Sequence, residues 1–292
     1  MSTQPLNTLR PGNRAEGRIT GTGIGLRSPH IREVLDTQPD VPWFEILTDN
    51  HTAAGGRTAA ELMAIRECYP ITFHCVGLSL GSSDPLDQGY LDTLKTMHAR
   101  YEPAWISDHL CFSSLDGTHY HDLLPLPFTE EAVEHVARRI GFVQEFLGQR
   151  ILVENVSSYM AYTHSVLSEA EFLAAVSETA DCDLLLDINN IYVNEFNHGL
   201  SGIDYLDAIP LRRVREIHLG GFEDKGAFLL DAHNHAVSKP VWALYRECIK
   251  RIPGTPTLIE WDNDIPGFSI LQQEAETARR IAAEQSAAQN GA

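Results

Sequence analysis

The chain has 292 residues, 22 basic against 40 acidic side chains, a formal net charge of −18 and a hydrophobic fraction of 43%. That length suits one (β/α)8 barrel with modest additions. The acidic balance argues against a nucleic-acid partner, because such a surface repels phosphate backbones at long range. No apolar run approaches the ~20 residues that cross a bilayer, and no apolar h-region opens the sequence. A cytoplasmic protein with no membrane partner is therefore expected. The cysteines Cys68, Cys75, Cys111, Cys182 and Cys248 are odd in number and lack a Cys-x-x-Cys spacing, which points to reduced, mostly buried thiols.

Residues 1–20 are expected to form an N-terminal extension, 21–282 a single barrel domain and 283–292 a frayed tail. Within the domain, strand and helix signals alternate. Strands are predicted at 22–26 (TGIGL), 42–47 (PWFEIL), 71–74 (ITFH), 104–107 (AWIS), 151–154 (ILVE), 183–187 (DLLLD), 214–218 (VREIH) and 256–260 (PTLIE). Most are continuous apolar runs, as expected for strands buried on both faces. Helices are predicted near 58–68, 86–100, 129–147, after Ser168, at 240–251 and at 268–284. The clearest is 129–147: Thr129 is a candidate N-cap, Glu130 and Glu131 favour the helix dipole, and Val133, Val136, Ile140, Val143 and Phe146 form an apolar stripe. Three longer segments, 110–128, 188–200 and 219–239, read as loops on the rim where such barrels keep their chemistry. The glycines of GTGIG do not match a dinucleotide-binding fingerprint and lie within the first strand signal.

Metal-type ligands end or follow the strands from the third onward. His74 closes ITFH, His109 follows WISD, Glu154 closes ILVE, Asp187 closes LLLD with Asn190 three residues on, His218 closes REIH, Asp231 and His233 follow in LLDAH, and Glu260 closes TLIE. Taken singly, each is an ordinary rim histidine, helix cap or surface acid. Together they would be costly to bury without cations, and a polynuclear metal centre removes that cost. Asp231 and His233 share one face of an extended segment, and Glu154 and Glu260 have two oxygens each with which to bridge. Mixed imidazole and carboxylate ligation without thiolate suits iron, manganese or zinc in a catalytic role. His30, Asn50, Asn155 and His235 are candidates for substrate contact or for orienting the ligands, His235 through His233.

ISDHLCFS, HDLLPLPFTEEA, ILVENVSSYM, LLLDINNIYVNEFNHG, EIHLGG, DAHNHAVSKPVWALY and TLIEWDNDIP, in that order, resemble the multinuclear non-haem iron-dependent oxidases. That family includes the iron subunit of the methanobactin oxazolone synthase, the thiaglutamate-pathway enzyme that excises a cysteine β-carbon, and the bufferin-modifying enzymes. The resemblance covers roughly residues 20 to 280. It implies a TIM barrel akin to xylose isomerase and endonuclease IV. It also implies an enzyme that uses two or three iron ions and O2 to oxidise cysteine in a ribosomally made precursor peptide, with a small leader-peptide-binding partner protein. By the same resemblance His74, His109 and Glu154 would hold one iron. Glu154, Asp187, His218 and Glu260 would hold a second, and Asn190, Asp231 and His233 a third, with Glu154, Asp187 and His218 the catalytic core. Alternative readings are a metal-dependent endonuclease or sugar isomerase on the same barrel, or a non-catalytic, metal-dependent peptide-binding module.

Overall fold

The computed structural model describes residues 19–290. Most of the expected N-terminal extension, 1–18, therefore lies outside the described residues. In chain order the strands are β1 (Thr22–Leu26), β2 (Phe44–Leu47), β3 (Ile71–His74), β4 (Ile106–His109), β5 (Phe112–Leu115), β6 (Thr118–Leu124), β7 (Leu152–Glu154), β8 (Asp183–Asp187), β9 (Val214–Leu219), β10 (Phe222–Asp224), β11 (Leu229–Asp231) and β12 (Thr257–Ile259). The helices are α1 (Ile31–Thr37), α2 (Gly56–Cys68), α3 (Gln88–Tyr101), α4 (Glu130–Leu147), α5 (Glu169–Thr179), α6 (Ile188–His198), α7 (Gly202–Ala208), α8 (Lys239–Arg251) and α9 (Phe268–Asn290). Eight parallel strands close a barrel in the order β1–β2–β3–β4–β7–β8–β9–β12. This is the expected TIM barrel, and its strands overlap the predicted runs, with β4 displaced two residues onward so that His109 ends the strand rather than following it.

Local chemistry sets the helix ends. Thr129 Oγ1 accepts from the Ala132 amide at the start of α4, and Gly148 closes it in a left-handed conformation at φ 77°. Ser168 and Glu171 form a reciprocal capping box at the start of α5. In the apolar stripe of α4, Val136, Ile140 and Val143 are fully buried in the barrel's main core, and Phe146 packs against it partly buried.

The structure corrects the reading of the three rim segments. Segment 110–128 carries the antiparallel hairpin β5–β6, and 219–239 carries the hairpin β10–β11. Segment 188–200 is not a loop: it folds into α6, and α7 follows it. Four asparagines with weak helix propensity hid α6 from the sequence pattern, while burial of Ile188, Ile191 and Val193 supports it. The last helix runs on to Asn290, so the segment expected to fray from 283 is helical through 290.

Strand register brings the ligands to one level. His74 pairs with Ser107, His109 with Glu154, and Asp187 with His218. Side chains alternate along a strand, so Thr72 shares a face with His74, Ser107 with His109, and Glu216 with His218. The barrel interior below the ligands is thus mixed, with Thr72, Ser107 and Glu216 beside the buried Leu152, Leu185 and Leu258, while the main apolar core lies between strands and helices. Replacing Ile140, which is 0% exposed, with Ala is expected to lower the unfolding free energy by about 2–5 kcal/mol. Urea unfolding should show this as a lower midpoint at unchanged slope, with bound metal per folded chain unaltered.

Candidate metal centre

The first ligand group is built from β3, β4 and β7. His74 Nε2 lies 3.2 Å from His109 Nε2, and both nitrogens lie 3.3 Å from Glu154 Oε2. His74 Nδ1 meets Ser107 Oγ at 2.8 Å, and that hydroxyl donates to the Phe73 carbonyl at 3.2 Å. The serine therefore accepts the Nδ1 proton and leaves Nε2 of His74 free to ligate. Burial, reinforced by His109, pushes the His74 imidazole well below its usual range, so it is neutral. Burial acts the same way on His109, but Glu154 and Asp108 outweigh it and raise that imidazole to about 9.

The second group shares Glu154 and adds Asp187, His218 and Glu260. The ligand atoms of these four residues lie within 4.8 Å of one another, and all four are buried. His218 Nδ1 is 2.9 Å from Glu260 Oε2 and 4.0 Å from Glu154 Oε1. Burial pushes Glu260 up, but His218 and His233 outweigh it and hold that carboxyl well below its usual range. Burial drives Glu154 well above its own range, only partly offset by His109 and His218.

His233 joins a third set. Its Nε2 lies 3.3 Å from Asp231 Oδ1 and 3.4 Å from Asp187 Oδ2, and its Nδ1 faces Glu260 Oε2 at 3.3 Å and Asp262 Oδ2 at 3.4 Å. The residue sits at φ 42°, a left-handed conformation, and its carbonyl accepts from the Asp262 amide at 2.8 Å. A Cβ at Gly220 would lie 2.1 Å from its ring, so only glycine lets the imidazole lie against β9. Asn190 donates its amide N–H to Asp187 Oδ1 at 2.6 Å, capping α6, and its Nδ2 to the Asn155 carbonyl at 3.1 Å.

The donor set fits metal ions. Glu154 Oε2, Asp187 Oδ2, Asn190 Oδ1 and His233 Nε2 are buried and have no hydrogen-bond partner, although buried polar atoms almost always find one. All four belong to residues of the three sets. Cations held there would supply the missing partner and neutralise the carboxylates.

The remaining candidates divide. Asn155 is buried and clamps β7 to β8: its Oδ1 accepts from the Asp187 amide at 2.9 Å and its Nδ2 donates to the Asp187 carbonyl at 3.0 Å. His30 is buried at the rim, against the Pro266 carbonyl at 2.8 Å and the Phe268 ring. Asn50 is exposed, and its neighbour Asp49 turns inward to take the Val76 amide and the Tyr90 hydroxyl. His235 is also exposed and meets Asn234 Oδ1 at 2.6 Å, while His233 takes its contacts from carboxylates instead. The sequence reading missed Arg27, Glu45, Glu216 and Asp262. Arg27 extends into space left by Gly25 and binds Glu260 at 3.2 Å and Asp262 at 2.5 Å. The available signals were a glutamate inside the apolar run PWFEIL, and acids two residues from His218 and Glu260.

The two rim hairpins border a cleft of about 660 Å³. Its walls include Asp49, His119, His121, Tyr159, Phe228 and Asp231, so it opens onto the third ligand set. Tyr159 and Phe228 meet edge to face at 6.0 Å, and the Tyr159 hydroxyl accepts from the Asp231 amide at 2.9 Å.

In chain stripped of metal, burial raises Glu45 to about 7 and Asp231 to about 6, while carboxylates raise His109 to about 9. All three bind protons more tightly folded than unfolded. Their contribution to stability is full below the unfolded values and is lost as pH rises through the folded ones. Glu260, held low, contributes above its ordinary range and is constant over this window. The melting temperature in chelator should therefore fall as pH rises from about 6 to about 9, and fall less when metal replaces the protons. Scanning fluorimetry across that range checks this; a rise in chelator would contradict the assignment.

The fold is similar to that of endonuclease IV from Thermus thermophilus, at TM-score 0.60 and 16% identity over 91% of this chain and 99% of that one. It is similar also to a D-psicose 3-epimerase crystallised with D-fructose, at TM-score 0.58 and 15% identity over 91% and 97%. At sequence level the chain is 52% identical over 260 residues to a UPF0276 protein of Acaryochloris marina, covering 89% of this chain and 94% of the relative. It is 49% identical over 276 residues to a UPF0276 protein of Anaeromyxobacter, covering 94% and 98%. The model of the RiPP precursor modification enzymes MbnB/TglH/ChrH matches residues 21–283. With its buried ligand groups on that barrel and a match across nearly all of it, the chain belongs to the MbnB/TglH/ChrH family of RiPP precursor modification enzymes.

Proposed function

We propose that this chain is a multinuclear iron, O2-dependent oxidase that modifies cysteine residues of a ribosomally synthesised precursor peptide, assisted by a small leader-binding partner protein. The observation that carries the reading is Glu154: its two oxygens face two adjacent ligand groups, His74–His109 on one side and His218 with Glu260 on the other. A shared carboxylate between neighbouring groups is the arrangement a polynuclear centre needs. Imidazole and carboxylate donors without a thiolate suit iron, and the neutral amide of Asn190 makes the third position a weaker ligand set.

Iron bound there supplies one-electron chemistry toward O2 and a Lewis-acidic position for a substrate thiolate. The chain's own residues do the rest. Glu154, Asp187 and His218 form the catalytic core. His74, His109 and Glu260 complete the first two sites, and Asn190, Asp231 and His233 hold the third. Asn155 fixes Asp187 through both of its backbone groups. Arg27 neutralises Glu260 and Asp262 at the back of the centre. The cleft between the hairpins receives the peptide, with Tyr159 and Phe228 as its apolar wall and Asp231 at the metal end. A cytoplasmic setting belongs to the reading: all five cysteines are free, and among the described residues no helix is long and apolar enough to cross a membrane.

Incubation of the iron-loaded protein with a cysteine-bearing precursor peptide and air is expected to consume oxygen and change the peptide mass. Under the same conditions Glu154→Gln should lose bound iron and turnover together, because one oxygen of the shared carboxylate is gone. An unmodified peptide with its partner protein present would refute the oxidase reading. Full iron content with normal turnover in the Glu154→Gln variant would refute the bridging assignment.

A further inference from the structure

Beneath the ligand level, the barrel interior holds two more carboxylates. Glu45 on β2 and Glu216 on β9 are each 0% exposed. Glu45 Oε1 lies 3.3 Å and Glu216 Oε1 3.5 Å from His218 Nε2. The opposite edge of the same ring turns Nδ1 toward Glu260 and Glu154. His218 thus stands between two sets of anions, and its two nitrogens must take different roles, since a neutral imidazole carries one proton.

The outer oxygens of the pair are already engaged. Thr72 Oγ1 donates to Glu45 Oε2 at 3.2 Å, and the Trp105 indole N–H donates to Glu216 Oε2. These two donors turn the inner oxygens toward the ring, where Glu45 Oε1, Glu216 Oε1 and His218 Nε2 are all buried without a formed hydrogen bond, so their mutual approach is the polar contact open to them. A lone buried carboxylate would suffice to accept one N–H; two of them at this depth are a costly arrangement with no packing advantage over apolar residues.

We propose that Glu45 and Glu216 form an interior carboxylate pair that keeps the His218 proton on Nε2, fixes Nδ1 as the metal-binding nitrogen, and makes the ring a stronger electron donor to the metal shared with Asp187 and Glu260. The proposal rests on the metal-oxidase reading above. Glu45 and Glu216 are positioning residues, acting through His218. A carboxylate accepting the remote N–H of a ligating histidine raises that ligand's basicity, which favours the oxidised form of the metal. The pair would tune the potential of the second site and leave its ligand count unchanged.

The test uses full-length Glu45→Gln and Glu216→Gln variants, reconstituted anaerobically with ferrous iron. Glutamine keeps the shape and the contact to Thr72 or Trp105 while removing the charge. Each variant is expected to hold as much iron as wild type. In each, oxidation of one iron should be disfavoured about tenfold, a rise of about 59 mV in its one-electron potential, read by potentiometric titration and by a changed Mössbauer signal for that iron alone. Trp105→Phe, which leaves both charges in place, should stay closer to wild type. Unchanged potentials at full iron content in the Gln variants would overturn the proposal. So would loss of one whole iron equivalent, which would make the pair ligands in their own right. If one Gln variant does not fold, the other carries the test. Wild-type protein that holds no iron would sink the metal reading together with this one. Iron-loaded wild type that leaves the peptide unchanged would sink the peptide reading alone.

Discussion

Everything at the mouth of this barrel follows from taking carboxylates and imidazoles out of water together. Glu154, Asp187, Glu260 and His218 are between 0% and 3% exposed. Each buried ion costs several kcal/mol unless paired, and one buried guanidinium, Arg27, reaches only Glu260 and Asp262. The metal-free chain answers the excess by holding protons: burial drives Glu154 and Glu45 up, and the surrounding carboxylates drive His218 and His233 up. Metal ions replace those protons with charge that does not leave when pH rises. Metal binding and stability of the barrel mouth are therefore one linked quantity.

The barrel suits that task because register, rather than loop conformation, aligns the ligands. His109 beside Glu154 and Asp187 beside His218 are hydrogen-bonded neighbours in a closed sheet, where a slip by one residue would turn either pair away from the centre. The third set is made differently. Asp231 comes from the edge of a two-stranded hairpin, and His233 from a left-handed residue pinned between Gly220 and the Asp262 amide. Strained backbone persists only where its surroundings over-determine it. The most conformationally constrained ligand is thus the one at the opening of the cleft.

The parts legible in the sequence and the parts hidden from it divide along physical lines. Short apolar runs located the barrel strands because a parallel sheet is buried on both faces. The ligands stood out because each ends such a run or follows it. Helix α6 was hidden because Asn189, Asn190, Asn194 and Asn197 spoil its propensity; what supports it is Asp187 capping its first turn and burial against the barrel. The hairpins at 112–124 and 222–231 lack the alternating pattern of a half-buried sheet, since β6 is largely exposed. Glu45 and Glu216 did not stand out, because only closure of the sheet reveals that their face points inward. His235 looked like a partner for His233 by proximity in sequence, but a residue two positions on, past a left-handed turn, faces solvent.

The histidines also differ in what stands behind them. His74 has a neutral hydroxyl, Ser107 Oγ, at 2.8 Å from Nδ1. His109 has Asp108 Oδ1 at 3.7 Å from Nδ1, too far for a hydrogen bond, and that oxygen accepts from the His109 amide at 2.6 Å. His218 faces two carboxylates. The first ligand group therefore combines two imidazoles backed by weak or neutral acceptors with one carboxylate. The second combines three carboxylates with one imidazole backed by anions. Ligand charge is the chief lever a protein has over a metal's affinity and preferred oxidation state. Metal ions held by two such groups, which share Glu154 but differ in ligand charge, would not be interchangeable: the more anionic group would favour the more oxidised ion and the more neutral group the reduced one. On the oxidase reading proposed above, that inequality would give the pair a direction for electron flow, tuned by residues such as Ser107, Glu45 and Glu216 that stand behind the ligands.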